Sequence, residues 1–590
     1  MQVDFKDKAG FQKADTLGTV FSCRGSQATV GLLAGGSSSR ATVGKFVLLK
    51  HPNGGSVGLI SEICSSDGQS EATYAGVIAK VDLVAEIALD SDGTVRFQRG
   101  VREYPAIGDL VEILDEEMLH LIHAAFTGHP MRIGSTKDGK GVPVLVDADG
   151  LLSKHFAILG STGVGKSSGA AVLLNRLLEA RPDVRVLLLD VHNEYGACFG
   201  DKASTIDAQN LKLPFWLFNF EEFVDVLYSG RPAIPEELDI LMELIPTAKN
   251  NYSNLRSASD RSPLARRQSR TVGYTVDTPT PYVMQDLVSL IDDRMGKLEN
   301  RATRMVHHRL LSRIESIRND PRYAFMFENA NVGGDTMASV LVQLFAGKSS
   351  DQTATILQLA AFPEEAIDAL VCVVLRLAFE LGLWSEGGNP LLIVCEEAHR
   401  FASADHSGGF APTRRGLSRI AKEGRKYGVH LGLISQRPAE LDPTIVSQCS
   451  SLFMMRMTNE RDHRLLKSAV SDAASNLLSL IPSLGTGEVV AAGEAMPLPM
   501  RFSFDELPKE QLPQSEHFLA RPPQSHTEHS AMIERAVDRW RKATSIAAIP
   551  HHEAGVSHAP LPAETLGQNA LTRGLQAALA SEGGFGRSKF

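Results

Sequence analysis

The fold of this chain is decided by residues 153–167, which read Ser153-Lys-His-Phe-Ala-Ile-Leu-Gly-Ser-Thr-Gly-Val-Gly-Lys-Ser167. The apolar run at 156–159 is typical of a buried strand, and 168–180, rich in Ala and Leu, is typical of a helix. The eight residues at 160–167 match the phosphate-binding P-loop pattern in full. Strand, glycine-rich loop and helix in this order predict a nucleotide site at the edge of an α/β sheet.

The P-loop predicts which groups hold the nucleotide. Its backbone N–H groups and the positive end of the following helix would cradle phosphates. Lys166 would contact the β- and γ-phosphates, and Ser167 would bind Mg²⁺. We therefore expect ATP and Mg²⁺ as cofactors. The expected nucleotide-binding residues are Gly160, Ser161, Thr162, Gly163, Val164, Gly165, Lys166, Ser167, Ser168 and, at the end of the next strand, Asp190.

The amino-acid composition limits the classes of protein to which this chain can belong. With 43% apolar and 22% charged residues the chain is an ordinary globular protein, and its net charge of −9 provides no global attraction for nucleic acid. The six cysteines form no Cys-x-x-Cys pair, which argues against a zinc site or a disulfide framework and fits a reducing compartment. No signal segment or membrane-length apolar run is present, so we expect a soluble, cytoplasmic protein without a membrane segment.

The chain of 590 residues is long enough for about three or four structural units. In residues 1–120, short β-branched runs recur between Gly and Asp or Asn turns, which predicts a small antiparallel β-barrel for assembly or partner docking. Residues 121–150 form a lead-in segment. Residues 506–590 form a Pro-rich, polar tail with one amphipathic helix at about 528–542 and an end, 578–590, that we expect to be disordered.

Residues 151–505 alternate between strand and helix patterns. Continuous apolar runs, rather than alternating ones, are typical of parallel strands covered by helices on both faces. We expect strands at 156–159, 184–189, 354–359, 391–395, 429–434, 451–455 and 488–491. A mostly helical insertion separates the second from the third, at about 200–350. Its Arg-rich piece at 254–270 is either a solvated loop or a contact for nucleic-acid phosphates.

Two acids follow the strand expected at 391–395, at the edge where open α/β sheets place their ligands. Glu396 would act on the Mg²⁺ shell, and Glu397 would orient the attacking water. Asp190 ends the second strand and is expected near the γ-phosphate, or else as a helix-capping residue. Gln436 follows the strand at 429–434 and would report the state of the γ-phosphate, or else is a plain turn residue.

A basic segment at 414–427 follows the acid pair. On a helix, Arg415, Arg419, Lys422 and Lys426 would share one face. Such a helix suits an arginine that reaches the nucleotide of a neighbouring subunit. A solvated cationic face is the alternative.

These segments together resemble the HerA-type hexameric DNA translocases, within the HerA/FtsK group of P-loop ATPases. The resemblance rests on residues 153–167 and on four further motifs in the same order. These are Leu189-Asp-Val-His-Asn-Glu-Tyr195, Glu396-Glu-Ala-His-Arg-Phe401, Glu423-Gly-Arg-Lys-Tyr-Gly428 and Ile434-Ser-Gln-Arg-Pro438. It covers about residues 1–505, and the N-terminal barrel resembles the small barrel that precedes the ATPase core in this group.

The resemblance implies a RecA-like core, a ring-shaped homohexamer, ATP bound between subunits and double-stranded DNA pulled through a central channel. It implies a partner nuclease, NurA-like, or another effector enzyme, in DNA repair or antiviral defence. Lys166 and Ser167 are then the Walker A pair, Glu396 and Glu397 the Walker B acids, and Gln436 the sensor. The arginine acting in trans is Arg419 or Arg425. The first Walker B acid is Glu here, where the general pattern has Asp.

Two other functions fit the same motifs. One is a ring-shaped scaffold ATPase that activates an associated effector and uses hydrolysis for regulation. The other is a conjugation or secretion coupling ATPase, which would be expected to carry a membrane anchor.

Overall fold

The computed structural model describes residues 16–33, 41–51, 54–65, 74–89, 95–125, 128–137, 141–260, 273–328, 330, 334–347, 349, 351–405, 411–470, 475–513 and 526–544. These described residues belong to one compact unit. The end expected to be disordered, 578–590, lies outside the described residues.

The N-terminal strands form an antiparallel barrel. They are β1 (Thr16–Arg24), β2 (Gln27–Leu33), β3 (Phe46–His51), β4 (Gly54–Ser65), β5 (Tyr74–Leu89), β6 (Val95–Arg99) and β7 (Leu110–Ile113). Six of them close in the order β2-β1-β7-β3-β4-β5 and back to β2, while β6 pairs on the outside with β5. Inward side chains such as Val20, Val47 and Ile60 are fully buried. The predicted barrel is therefore confirmed.

The remaining described strands form one large sheet. They are β8 (Pro130–Ser135), β9 (Pro143–Asp147), β10 (His155–Leu159), β11 (Arg185–Asp190), β12 (Ala203–Ile206), β13 (Ala354–Gln358), β14 (Leu391–Cys395), β15 (Val429–Ser435), β16 (Cys449–Met455), β17 (Glu488–Gly493) and β18 (Met500–Phe504). Their order is β12-β13-β11-β14-β15-β10-β16-β17-β18-β8-β9, and the pairs from β12 to β16 are parallel. The mostly parallel, RecA-like core is confirmed.

Two features of this sheet were not specified by the sequence. The run at 488–491 is a strand, as expected, and it pairs antiparallel with both β16 and β18. The strand β12 lies inside the predicted helical insertion. Its four residues, Ala-Ser-Thr-Ile, are too short to show a periodic pattern.

Helices cover the sheet and build the insertion. They are α1 (Glu116–Ala125), α2 (Ala148–Leu151), α3 (Lys166–Ala180), α4 (Phe220–Tyr228), α5 (Pro235–Asp260), α6 (Met284–Gly296), α7 (Arg301–Arg318), α8 (Ala324–Phe327), α9 (Met337–Phe345), α10 (Glu364–Trp384), α11 (Ala411–Glu423), α12 (Pro443–Val446), α13 (Glu460–Ala469) and α14 (His526–Thr544). Helix α14 spans the tail helix expected at about 528–542.

The insertion is anchored to the core by a buried ion pair. Glu222 in α4 is fully buried and accepts hydrogen bonds from Arg376 Nε (2.9 Å) and Nη2 (2.8 Å) in α10. Asn219 and Glu222 also form a reciprocal capping box at the start of α4. The Arg-rich piece cannot be placed, because 261–272 and the side chains of 255–260 lie outside the described residues.

The barrel and the ATPase core share apolar packing. Phe46, Leu59 and Ile87 from the barrel belong to the same buried cluster as the large sheet. Arg99 in β6 donates from Nη2 to the carbonyl oxygens of Gly493 and Glu494, both at 2.8 Å. These contacts fix the barrel against the antiparallel half of the sheet.

Glu488 ties three segments of this antiparallel half together. Its carboxylate accepts from Arg501 Nη2 in β18 (2.7 Å), from Lys137 Nζ after β8 (2.6 Å) and from the Gly485 amide (2.8 Å). Burial raises the pKa of Glu488, but these hydrogen bonds outweigh it and lower the pKa to about 2.

We predict that Glu488→Gln destabilises the protein at pH 7 by about 1–2 kcal/mol. The variant deprives Lys137 and Arg501, which are both partly exposed, of their shared carboxylate. The wild-type advantage is complete above the ordinary carboxyl pKa of 4.5 and is lost as the pH falls towards about 2. Thermal unfolding of both forms between pH 7 and pH 3 measures it. Glu62→Gln, which removes an exposed pair with Lys80, is the control with a smaller effect. A Glu488→Gln effect that does not shrink at low pH would contradict the assignment.

Candidate active site

The P-loop leaves the carboxyl end of β10, which lies between the parallel strands β15 and β16. Backbone hydrogen bonds hold the loop: Gly160 N–H donates to Ser435 O (3.3 Å), and Ser161 N–H donates to Arg456 O (3.0 Å). Gly165 has a φ of 95°, in the left-handed region, and helix α3 follows it without a side-chain cap. The first turn of α3 therefore offers its amides to an anion.

Close packing explains two of the loop glycines. A Cβ at Gly160 would lie 2.9 Å from Met455 Cβ, which is too close for any other residue. At Gly165 the positive φ disfavours a side chain, and a Cβ would lie 3.4 Å from the amide nitrogen of Gly487. Gly487 N–H in turn donates to Val164 O at 2.9 Å. The loop is thus fixed from β15, β16 and the turn before β17.

Lys166 is 6% exposed, and its Nζ donates to Ser161 O at 2.7 Å. Burial lowers the pKa of Lys166, while Glu397, Glu194 and Glu396 act in the opposite direction. The ammonium is therefore held across the loop, where it can contact phosphate oxygens.

Asp190 and Glu396 lie at neighbouring strand ends, since β11 and β14 are parallel partners. Fully buried Asp190 accepts from the amides of Glu194 and Tyr195, both at 3.0 Å, in a turn and not at the start of a helix. Glu396 accepts from the amides of Val191 (3.0 Å) and His192 (3.4 Å).

Burial, together with the nearby carboxylates of Asp190 and Glu194, raises the pKa of Glu396 to about 9. The pKa of Asp190 is raised as well, chiefly by burial. Burial and mutual repulsion therefore both favour the protonated form of this pair. A bound cation would favour their charged forms.

The oxygen donors at this edge fit Mg²⁺. Ser167 Oγ donates to Glu194 Oε2 at 2.8 Å, next to Glu396 and Asp190. Among the described residues no three His, Cys, Asp or Glu side chains form a metal cage. Mg²⁺ commonly binds through one or two protein oxygens together with substrate phosphates and water. Ser167 and Glu396 would hold it here, and the ion would neutralise phosphate charge. Glu194, which the motif at 189–195 contains, is a site residue that sequence reasoning had left without a role.

Glu397 lies in the left-handed region, with φ and ψ both 46°, and is 8% exposed. Gln436 Nε2 donates to Glu397 Oε1, and Thr162 Oγ1 in the P-loop donates to Gln436 Oε1. Gln436 therefore joins the phosphate loop to the second acid. A cavity of about 580 Å³ opens beside this chain of contacts, and its lining includes His192, His399 and Arg437.

The structure does not bring the candidate trans arginines to this site. Arg425 is exposed in the turn before β15 begins, whereas the P-loop follows the carboxyl end of the parallel strand β10. Arg419 lies 3.9 Å above the Phe379 ring and donates to Glu380 Oε1 at 3.3 Å. Both lie away from the nucleotide site of their own chain.

The basic helix predicted at 414–427 is shorter than expected. Helix α11 ends at Glu423, and residues Gly424–Tyr427 form a 3₁₀ turn, so Lys426 does not continue the α-helical spacing. Gly428, with a φ of 70°, ends this turn. Arg415 pairs with Glu221 of α4 at 2.8 Å, so part of the cationic face is neutralised.

Together, a P-loop on a RecA-like sheet and acids at the adjoining strand tips define a P-loop ATPase. The family model described as "Helicase HerA, central domain" matches residues 131–378. The resemblance to the HerA group is thereby confirmed, and the matched residues run from β8 into α10. The match contains the P-loop and Asp190, and ends before Glu396 and Gln436.

Curated relatives agree with this family. The chain is 25% identical over 437 residues to the DNA double-strand break repair helicase HerA of Pyrococcus furiosus, covering 68% of this chain and 74% of the relative. It is 28% identical over 384 residues to the same-named helicase of Saccharolobus solfataricus, covering 64% and 68%. A probable helicase of Methanocaldococcus jannaschii is 25% identical over 404 residues, covering 64% and 71%.

Solved structures are more distant. VirB4 of Thermoanaerobacter pseudethanolicus is 17% identical with a TM-score of 0.43, covering 65% of this chain and 99% of that chain. The bacterial conjugative coupling protein TrwB is 15% identical with a TM-score of 0.40, covering 68% and 94%. Within the described residues, no helix combines the length and the apolar character that crossing a bilayer requires.

We predict that Lys166→Ala lowers ATP hydrolysis about 10²- to 10³-fold, since the variant loses a preorganised cation at the phosphates. Steady-state phosphate release and binding of a fluorescent ATP analogue measure the effect. Lys202→Ala, which removes an exposed lysine paired with Glu179, is the matched control with unchanged hydrolysis. If Lys166→Ala hydrolyses ATP at the wild-type rate, Lys166 does not contribute to the active site.

Proposed function

We propose that this ATPase is a double-stranded DNA translocase that works as a homohexameric ring with a partner nuclease or effector enzyme. The observation that carries the proposal is the contact chain from Thr162 through Gln436 to Glu397. Gln436 follows β15, and β15 packs against α11. A change at the γ-phosphate would therefore shift β15 and the basic helix, as a motor requires.

Hydrolysis is proposed to follow the usual division of roles. Lys166 and the P-loop amides hold the phosphates, Ser167 and Glu396 hold Mg²⁺, and Glu397 orients the attacking water. Gln436 acts as the sensor between the phosphates and Glu397. Arg419 or Arg425 of a neighbouring subunit stabilises the charge that develops in the transition state.

The position of the arginines supports a ring. The P-loop lies at the carboxyl edge of the parallel strands and Arg425 at the opposite edge. Head-to-tail contacts of one chain generate a closed ring when the rotation closes, and they place different surfaces of neighbouring copies together. Such a contact would complete the site of one subunit with a cation of the next.

The relatives named DNA double-strand break repair helicases support DNA as the substrate. The net charge of −9 does not oppose this, because basic loops that converge on a ring axis create a local positive field. We propose DNA end processing, in repair or antiphage defence, as the role shared with a NurA-like nuclease or another effector.

We predict that double-stranded DNA stimulates ATP hydrolysis and that the stimulation falls steeply with salt, since DNA contacts release counterions. Displacement of a triplex-forming strand from duplex DNA measures translocation directly, with Lys166→Ala as the inactive control. The scaffold function would be favoured by two results together. DNA would not change the rate of ATP hydrolysis, and the Lys166→Ala variant would still activate the partner enzyme.

We predict that Arg419→Ala or Arg425→Ala lowers kcat by about 10³-fold or more without weakening ATP binding, because the arginine acts on the neighbour's nucleotide. Neither that variant nor Glu397→Gln should hydrolyse ATP alone. Mixed in equal amounts, they should regain activity, since about one quarter of randomly assembled interfaces would pair an intact Glu397 with an intact arginine. Arg322→Ala, whose arginine pairs with Asp320 within its own segment, is the control. A mixture that stays inactive would contradict action in trans.

A further inference from the structure

The two carboxylate oxygens of Glu397 differ in their hydrogen bonds. Oε1 accepts from Gln436 Nε2. Oε2 is buried, and no hydrogen bond of good geometry reaches it from the described residues. A carboxylate oxygen only accepts, and a buried one without a donor is costly. A donor is therefore expected on this side of the carboxylate.

The side chain in the right place is His399. Its Nδ1 lies 3.3 Å from Glu397 Oε2 and 3.3 Å from Ser435 Oγ. The 3₁₀ turn Ala398–Arg400, which follows the left-handed Glu397, directs the ring back towards the acid. The other imidazole near Glu397 belongs to His192, whose Nε2 is 3.8 Å from Oε1 and whose side chain is 54% exposed.

The surroundings select the tautomer of His399. Burial lowers the pKa of His399, although Glu397 and Glu440 act to raise it, and Arg437 and His192 to lower it. The ring is therefore neutral at neutral pH and carries one N–H. Because Nδ1 faces the carboxylate oxygen that lacks a donor, the proton belongs on Nδ1. Ser435 Oγ accepts from the Arg437 amide at 3.1 Å and, at 3.3 Å from Nδ1, is a second acceptor beside the same ring N–H.

We propose that His399 is a positioning residue for hydrolysis, which donates from Nδ1 to Glu397 Oε2 and so holds the carboxylate towards the attacking water. The inference rests on the proposed role of Glu397. With Gln436 on Oε1 and His399 on Oε2, both oxygens are held, and the plane of the carboxylate is set by two residues. The 3.3 Å separation lies at the long end of the range for N–H···O hydrogen bonds.

Two substitutions of His399 distinguish a role as hydrogen-bond donor from a role in packing. His399→Asn places an amide N–H near the position of Nδ1, whereas His399→Leu has a similar size and no donor. We expect His399→Leu to lower kcat for ATP about 10- to 100-fold, the cost of a misplaced reacting group, with KM changed less than about twofold. His399→Asn should recover most of the lost kcat. His308→Leu, at an exposed position on α7, is the control for the substitution itself.

The full chain is assayed for steady-state hydrolysis with saturating and limiting ATP, and thermal unfolding confirms that each variant is folded. In the Glu397→Gln background, His399→Leu should cause no further loss, because the group that it positions is already gone. Equal losses in His399→Asn and His399→Leu, or a wild-type kcat in His399→Leu, would overturn the proposal. If Glu397→Gln hydrolyses ATP at the wild-type rate, the role of Glu397 is wrong and the inference falls with it. If Glu397→Gln is inactive and His399→Leu is normal, only the inference fails.

Discussion

The rest of the structure depends on the way the phosphate loop is held at the carboxyl end of β10. Its amides and carbonyls bond to Ser435 at the end of β15, to Arg456 after β16 and to Gly487 before β17. Each partner lies at the end of a different strand of one sheet. The loop can therefore keep two glycines in the left-handed region while the strands around it stay regular. A loop with so many fixed backbone contacts is preorganised for phosphate, which lowers the cost of ordering it when the nucleotide binds.

Several acidic side chains lie at the same carboxyl edge of the sheet. Asp190, Glu194, Glu396 and Glu397 lie around Lys166 and Ser167, and desolvation raises the pKa of Glu396 and Asp190. Backbone amides bind the carboxylates of Glu396 and Asp190 and offset part of the cost of burying them. Such a cluster responds strongly to Mg²⁺ and to phosphate, since each arriving charge changes the protonation of its neighbours. In the proposed mechanism, the response reaches β15 through Gln436 and the 398–400 turn through His399.

Much of this architecture was predictable from local patterns. Each of the seven apolar runs is a strand, because a continuous apolar run fits a strand that is buried on both faces. The short strand β12 was missed, since a four-residue strand has no period to detect. The end of α11 was misplaced, because the position where the chain turns towards β15 depends on the packing around Gly428 and not on charge spacing. The antiparallel pairing of 488–491 could not be read from its apolar run, since the direction of a strand depends on the connections around it.

The sequence by itself determined the class of chemistry. Lys166, Ser167 and the glycines at fixed spacing predict phosphate binding, because these residue types let a loop present its backbone amides to an anion. Only the tertiary structure decided which side chains meet there. Thr162, Gln436 and Glu397 are separated by hundreds of residues or by whole strands, and Ser435 lies beside His399 only because β14 and β15 are neighbours in register. Contacts between strand ends depend on sheet order, and sheet order is set by the packing of the whole domain. A local motif can therefore predict that a site exists, whereas the fold determines which side chains form it.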